Sequence, residues 1–221
     1  MGKVDEVARL AESFLDRDIP LHCKTPLEWA EIAMRDPLAL LNDHAYLEKK
    51  AATNALELLN RWPEPGCPDE WTSTLAGIAS DEALHLNAVV RILVDRDGRL
   101  TRTHRNDYAN RLRSHVRKGQ GTDELVDRLL ISALIELRSC ERFDLLAKYC
   151  RGRDDVLYRF YQSLRASELG HYRVFLHLAA MAARGSIVEA RWREMLEFEA
   201  AAMAAQSPGP RIHSGWAGLV A

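Results

Sequence analysis

The stretches Glu82-Ala-Leu-His85 and Glu168-Leu-Gly-His171 decide the fold, because each sets a carboxylate and an imidazole three residues apart in a strongly helical pattern. Residues three apart lie on one face of a helix, so both side chains of a pair can reach the same ion. At nearly equal distances before them lie two further glutamates on earlier helical segments, Glu48 and Glu136. The pattern predicts one helical hairpin built twice.

All six residues lie within apolar stripes that have the three- and four-residue spacing of a buried helix face. A charged group there costs several kcal/mol unless it is paired or binds a metal. Four carboxylates and two neutral imidazoles would balance two divalent cations. Glutamate from two helices with Glu-x-x-His from two others is the ligand set of di-metal four-helix bundles. We therefore predict an all-α, ferritin-like four-helix bundle; the alternative is a buried Glu–His salt-bridge network without metal.

The 221 residues are 47% hydrophobic, which predicts a single domain over 1–221 with a sizeable core. Proline, glycine and capping signals place the bundle at about 36–183, with short N-terminal helices within 3–34. A C-terminal helix is expected at about 186–205, followed by an irregular tail. Residues 98–121 form the long crossover that this bundle needs between its second and third helices.

Composition restricts the setting in which the protein acts. The net charge of −2 does not indicate a polyanionic partner for the chain as a whole. Its four cysteines form no C-x-x-C pair, which favours reduced thiols over a disulfide framework. The N-terminus lacks the apolar core of a signal peptide, and no apolar run approaches the length of a membrane span. These features predict a cytoplasmic protein that does not enter a membrane.

The residues around the six candidate ligands resemble one particular family. Four runs carry the likeness to the tRNA 2-methylthio-isopentenyladenosine hydroxylase family, which covers roughly residues 24–182: Asp43-His-Ala-Tyr-Leu-Glu-Lys-Lys-Ala-Ala52, Ser80-Asp-Glu-Ala-Leu-His85, Glu136-Leu-Arg-Ser-Cys-Glu-Arg-Phe143 and Ser167-Glu-Leu-Gly-His-Tyr172. The Glu-Lys-Lys-Ala-Ala and Arg-Ser-Cys-Glu-Arg-Phe segments are its specific parts. The chain departs from the family pattern at Leu137, Leu169 and Gly170.

The resemblance implies an oxygen-dependent di-iron monooxygenase that hydroxylates the isopentenyl side chain of a modified adenosine in the tRNA anticodon loop. Its cofactors would be two iron ions, with dioxygen as co-substrate and an external electron donor. The implied partners are tRNA and a reductase or ferredoxin-type protein. The metal ligands would be Glu48, Glu82, His85, Glu136, Glu168 and His171.

Other functions are compatible with the same bundle. Iron storage, peroxide reduction and di-manganese catalysis use similar ligands, and ligand type alone does not separate iron from manganese. A rubrerythrin-type peroxidase would usually carry a C-x-x-C module, which this sequence lacks. A metal-free helical interaction module is the non-enzymatic alternative, and it predicts that no metal binds.

Two residues beside the ligands are candidates for supporting roles. Asp81 directly precedes Glu82 and could accept a hydrogen bond from the second nitrogen of a metal-bound imidazole. A solvated acid on the outer helix face is the alternative for this residue. His44 lies one turn before Glu48, although a lone histidine is more often structural.

The crossover is strongly basic. Between Arg91 and Lys118 there are nine Lys/Arg against three Asp. Arginine pairs with phosphate oxygens and stacks on unpaired bases, so we expect this segment to contact tRNA, although a solvated, arginine-rich loop is the alternative. The candidate nucleic-acid-binding residues are Arg96, Arg99, Arg102, Arg105, Arg111, Arg113, Arg117 and Lys118.

Overall fold

A computed structural model describes residues 19–216, and regular secondary structure within that range is helical apart from one isolated bridge between Pro208 and Gly215. Seven helices follow one another: α1 Glu28–Ala33, α2 Pro37–Leu59, α3 Asp69–Val94, α4 Asp107–Arg113, α5 Thr122–Cys150, α6 Asp155–Ala182 and α7 Gly185–Ala204.

The helices agree closely with the sequence-based expectations. The four predicted bundle helices are α2, α3, α5 and α6, and the crossover carries the short α4. The predicted C-terminal helix is α7, which is followed by an irregular segment over 205–216. Of the predicted N-terminal helices, the one over residues 3–16 lies outside the described residues.

Local signals explain where two of the bundle helices begin. Asp36 caps α2 by accepting the Ala39 N–H at 3.0 Å, and Asp154 caps α6 by accepting the Leu157 N–H at 3.0 Å. Thr25 precedes a proline, as a helix cap often does, yet the cap position of α1 is Leu27. The Thr25 hydroxyl instead donates to Glu141 at 2.6 Å.

The chain divides into two compact units, each built on one helical hairpin. The first-hairpin unit contains residues 26–107 and 206–216, and its hairpin is α2 with α3. The second-hairpin unit contains residues 19–25 and 108–205, and its hairpin is α5 with α6, joined by α7. The prediction of a single domain over 1–221 stays a prediction.

In the first-hairpin unit, the apolar stripes of α2 and α3 are buried against each other, with Leu41, Trp71 and Leu75 fully shielded from solvent. The segment after α7 returns to this unit. The Trp29 indole N–H donates to the Ser214 hydroxyl at 2.9 Å, so the segment over 206–216 is tied to α1.

In the second-hairpin unit, α5 is buried far beyond a single stripe. Twenty of its 29 residues are buried, including Arg138 and Glu141. Arg138 is fully shielded and binds both Glu199 of α7 and Glu141 of its own helix.

Gly98 shows why α3 ends where it does. Its N–H donates to the Leu93 carbonyl at 2.9 Å, which closes the end of the helix. A Cβ at Gly98 would come within 2.8 Å of that carbonyl oxygen, so the close approach requires glycine.

Among the described residues, none of the helices has the length and apolar character needed to cross a membrane.

Candidate metal centre

The first-hairpin unit brings together three of the predicted ligands. Glu48 lies in the middle of α2, and Glu82 and His85 lie on the facing side of α3. His85 Nδ1 is 3.4 Å from Glu82 Oε2 and 3.7 Å from Glu48 Oε2. One ligand atom from each of the three residues lies within 4.8 Å of the others. We call Glu48, Glu82 and His85 the first triad.

Burial gives the first triad unusual electrostatics. Glu82 is fully buried and Glu48 is 4% exposed. Burial alone would raise the pKa of Glu48, but His44 and His85 hold it below its ordinary value. Burial alone would lower the pKa of His85, but hydrogen bonds to Glu48 and Glu82 raise it to about 10. A positive charge is therefore strongly favoured between these two carboxylates.

The second-hairpin unit assembles the matching set. Glu136 lies in the middle of α5, and Glu168 and His171 lie on α6. His171 Nδ1 is 3.9 Å from Glu168 Oε2, and one ligand atom from each residue lies within 4.8 Å of the others. All three side chains are buried, with exposures of 5% or less. We call Glu136, Glu168 and His171 the second triad.

The donors of both triads fit a divalent transition metal. Each triad offers two carboxylates and one imidazole in a buried setting, which leaves a net negative charge that a cation would neutralise. Carboxylate with imidazole is a ligand type found for iron and manganese in proteins. The two triads are therefore carboxylate–histidine groups that can bind metal, one in each hairpin.

The two candidate supporting residues differ in their surroundings. His44 is fully buried, and its Nε2 lies 2.5 Å from Glu48 Oε1. Its ring therefore contacts a candidate ligand directly and fixes the orientation of that carboxylate. Asp81 is exposed on α3. Its predicted role in orienting an imidazole stays a prediction.

The basic crossover is mostly accessible. Arg99, Arg102 and Arg105 are exposed in the first-hairpin unit; Arg111, Arg113 and Lys118 are exposed in the second-hairpin unit. Arg96 is half-buried. Arg117 is held by Asp123 and by the fully buried Asp127, at 2.8 Å from each, so it has a structural contact within its own unit.

Sequence reasoning missed a group of residues beside the first triad. Asp43 is 5% exposed; its Oδ1 lies 2.7 Å from His104 Nε2, and its Oδ2 accepts the Ile212 N–H at 2.8 Å. The partners are 61 and 169 residues away along the chain, so no local spacing indicates the contact. The one available signal was Asp43 itself, an acid just inside an apolar helix face.

Comparisons with known proteins agree with this geometry. Residues 13–214 match the family model described as tRNA-(MS[2]IO[6]A)-hydroxylase (MiaE). The chain is 37% identical over 162 residues to the tRNA 2-(methylsulfanyl)-N(6)-isopentenyladenosine(37) hydroxylase of Pseudomonas putida, covering 73% of this chain and 76% of the relative. It is 30% identical to the Salmonella typhimurium protein of the same name, covering 88% of this chain and 87% of the relative.

A solved structure shows the same fold. Protein 43 with aldehyde deformylating oxygenase activity from Synechococcus superposes with a TM-score of 0.80 at 29% identity, covering 88% of this chain and 96% of that one. The predicted all-α, ferritin-like fold class is thereby confirmed.

Proposed function

The chain belongs to the tRNA-(MS[2]IO[6]A)-hydroxylase (MiaE) family, and we propose that it hydroxylates the isopentenyl side chain of a modified adenosine in the tRNA anticodon loop. The observation that carries this proposal is the pair of triads in the middle of two helical hairpins, in which all four glutamates and His171 are buried and His85 is partly exposed. A hydroxylase that attacks an unactivated carbon needs a strong oxidant, and the triads offer a site for the metal that would generate it.

The six triad residues together would hold two iron ions, with Glu48, Glu82 and His85 on one hairpin and Glu136, Glu168 and His171 on the other. When bound, the iron pair supplies the reductive activation of dioxygen. The protein residues supply the ligands, their orientation and the exclusion of water. Burial of the four carboxylates supports this division, because a dry site protects a reactive oxidant from side reactions.

His44 has a defined part in this arrangement. It is fully buried and contacts Glu48 Oε1, so it occupies one carboxylate oxygen and leaves Oε2 directed to the side where His85 lies. A hydrogen-bonded carboxylate keeps a fixed rotamer, which is how residues behind the ligands tune metal sites.

The tRNA would be held by exposed cations of the crossover. Arg99, Arg102, Arg105, Arg111, Arg113 and Lys118 are all accessible to a polyanion. A nucleotide in an anticodon loop is already unpaired, so its presentation costs less than extraction from a duplex. Arg117 is the weakest member of the original set because Asp123 and Asp127 already bind it.

Monooxygenation consumes two electrons from outside the substrate, so the proposal includes a reductase or ferredoxin-type donor. The four cysteines of the chain form no C-x-x-C pair that would indicate a built-in rubredoxin module. A tRNA substrate also supports the prediction of a cytoplasmic enzyme. The iron ions, dioxygen and the donor complete the proposed set of reactants.

The test combines metal analysis with nucleoside mass spectrometry. Purified protein loaded with iron is reduced and mixed with tRNA that carries the isopentenyl modification, and the digested nucleosides are weighed. We expect two irons per chain and a mass gain of one oxygen on the modified adenosine. Formation of a large iron-loaded particle, or dismutation of peroxide without change to the tRNA, would instead favour storage or catalase activity.

A matched pair of variants ties the activity to the triads. The double variant His85→Ala, His171→Ala should lose iron and all hydroxylation. The control is His22→Ala, which removes an exposed histidine of the second-hairpin unit. Stoichiometric iron and full activity in the double variant would reject the triads as the metal site.

A further inference from the structure

The start of the crossover is fastened to the helix that carries Glu48. The Asn42 side-chain oxygen accepts the Thr101 N–H at 2.8 Å, and the Tyr46 hydroxyl donates to the Thr101 carbonyl. Both backbone groups of Thr101 are thus bound by side chains one turn apart on α2. A loop residue held in this way has a fixed position relative to the helix.

A second fastening lies three residues further along. His104 Nε2 is 2.7 Å from Asp43 Oδ1, and His104 Nδ1 is 2.8 Å from Lys50 Nζ. The Tyr46 ring stacks on the imidazole, with centroids 4.9 Å apart and planes 3° from parallel. We call Asp43, Lys50 and His104 the His104 anchor.

The partners define the tautomer of His104. A lysine ammonium can only donate, so Nδ1 must accept the Lys50 hydrogen bond. Nε2 then carries the ring proton and donates it to Asp43. The imidazole is therefore neutral and bound at both nitrogens, and the stacked Tyr46 ring blocks one face. The His104 ring is therefore held in one orientation, and this restricts the position of the crossover backbone at residue 104.

Three exposed cations belong to this segment, and a fourth lies beside it on α2. Arg99 lies two residues before Thr101, Arg102 directly follows it, and Arg105 directly follows His104. Lys49 lies on α2 with its ammonium 5.9 Å from the centroid of the Tyr46 ring. Arg105 pairs with Asp107, but both side chains are largely exposed, and such a pair exchanges readily for another anion. We call Lys49, Arg99, Arg102 and Arg105 the phosphate surface.

We propose that the His104 anchor pre-positions the phosphate surface for the backbone of an unpaired RNA strand. The proposal rests on the proposed function for its ligand, and it assigns positioning roles to Asp43, Lys50 and His104. Binding by flexible side chains pays an ordering cost for each group that is immobilised. A segment that is already ordered avoids part of that cost, so the same cations bind phosphates more tightly. None of the three anchor residues needs to touch the RNA.

The cations of the phosphate surface differ from Arg117 in their contacts. Those of the phosphate surface share one rigid support on α2, within the first-hairpin unit. Arg117, in the second-hairpin unit, is directed to Asp123 and Asp127. We therefore expect the phosphate surface, and not Arg117, to carry the salt dependence of RNA binding.

The test measures binding of a synthetic RNA hairpin with an unpaired loop to the full chain over a range of salt concentrations. His104→Ala should raise the Kd on the order of tenfold and leave the salt slope unchanged, because all the cations are still present. The triple variant Arg99→Gln, Arg102→Gln, Arg105→Gln should weaken binding and reduce the slope by about 2, at roughly 0.7 per phosphate contact. Metal content should stay at the wild-type level in both.

Two further measurements keep the result interpretable. His104→Gln can still donate to Asp43 and accept from Lys50, so it should recover most of the affinity, whereas a general folding defect would not be rescued. Hydrogen exchange over residues 99–106 without RNA should be faster in His104→Ala than in the control His22→Ala.

Unchanged RNA affinity in His104→Ala would overturn the positioning role, and so would unchanged hydrogen exchange in that variant. Failure of the wild-type protein to bind the hairpin at all would reject the proposed function, and the phosphate surface with it. The two failures are distinct, because the first is measured relative to a wild-type protein that binds.

Discussion

The two hairpins carry the same candidate ligands, two glutamates and one histidine each, but their surroundings are very different. In α3, seven of 26 residues are buried; in α5, twenty of 29 are buried. The first hairpin is supported by a crossover loop and by the segment over 206–216, through neutral contacts and one buried aspartate. The second is supported by α7 through fully buried ion pairs. The repeated sequence pattern therefore predicts the candidate metal site, but it does not predict the contacts that support each hairpin.

This difference gives each hairpin its own weak point. In the second-hairpin unit, the fully shielded Arg138 forms ion pairs with the fully shielded Glu199 and with Glu141. Behind the first triad, loss of one contact opens a loop that water can already approach. We expect substitutions behind the second hairpin to lower the free energy of unfolding. Behind the first hairpin, we expect substitution of His44 to alter metal binding and substitution of His104 to alter RNA binding.

The largest effect, a loss in the free energy of unfolding, is expected for Arg138→Ala. It leaves Glu199 and Glu141 buried without their partner, which typically costs about 3–5 kcal/mol. Chemical denaturation of the metal-free protein should show this loss in the free energy of unfolding. The exposed Arg159→Ala serves as the control and should change it by about 0.5 kcal/mol or less. Equal effects of the two variants would show that the buried ion pairs do not support the second hairpin.

Asp127→Asn should cause the next largest loss in the free energy of unfolding, and this loss should depend on pH. Burial would raise its pKa, but hydrogen bonds from Arg117 and Arg191 hold the pKa below its ordinary value. A lowered pKa contributes stability that is present above the unfolded value of about 3.9 and is lost as the pH falls through the folded value. Asp127→Asn should cost about 1.5–3 kcal/mol at neutral pH, the range for hydrogen bonds to charged groups.

The pH series supplies the check for Asp127. The free energies of unfolding of wild type and Asp127→Asn should begin to converge as the pH falls below about 4, and they should meet only below the lowered folded pKa, where Asp127 is neutral in both states. A constant difference between the two proteins down to strongly acidic pH would mean that charge is not the source of the stability.

A comparison of His44→Ala with Asp81→Ala tests which of the two residues supports metal binding by the first triad. His44 is buried against Glu48, so its loss should weaken metal affinity about 10–100-fold, the usual range for groups that orient ligands. Asp81 is exposed, and we expect its variant to show the smaller loss. Competitive titration with a chelator measures both, and a larger effect from Asp81→Ala would restore the original assignment of that residue.

The smallest effect concerns glycines in the middle of two ligand helices. Gly77 of α3 and Gly170 of α6 are exposed, and a Cβ at either position would meet no atom within 4 Å. Alanine at each should therefore stabilise the protein by about 0.4–1 kcal/mol. Thermal unfolding of the two single variants should show similar small increases in Tm. A decrease for Gly170→Ala alone would indicate that this position makes room for something beside the second triad.

The sequence predicted the helices and the membership of both triads because periodicity and spacing are local properties. Glu82 and His85 share a helix face for geometric reasons that hold in any context. The supporting contacts were not predictable in this way. Arg138 meets Glu199 across 61 residues, and Thr25 meets Glu141 across 116. Such pairs depend on where whole helices pack, and no spacing rule encodes that.

Local capping rules also failed where a distant partner was stronger. Thr25 precedes a proline and so resembles a helix cap, yet both its N–H and its hydroxyl bind the Glu141 carboxylate. A bidentate contact with a buried charge outweighs one capping bond at the start of a six-residue helix.

The contact between Asp43 and Ile212 also bears on how the protein is made. Asp43 leaves the ribosome early, whereas the amide that its Oδ2 accepts is added 169 residues later. The first hairpin can form its helices during synthesis, since their contacts are local. Asp43 obtains its second partner only after Ile212 has emerged, so a step of synthesis much later than the hairpin itself completes the contacts of this aspartate.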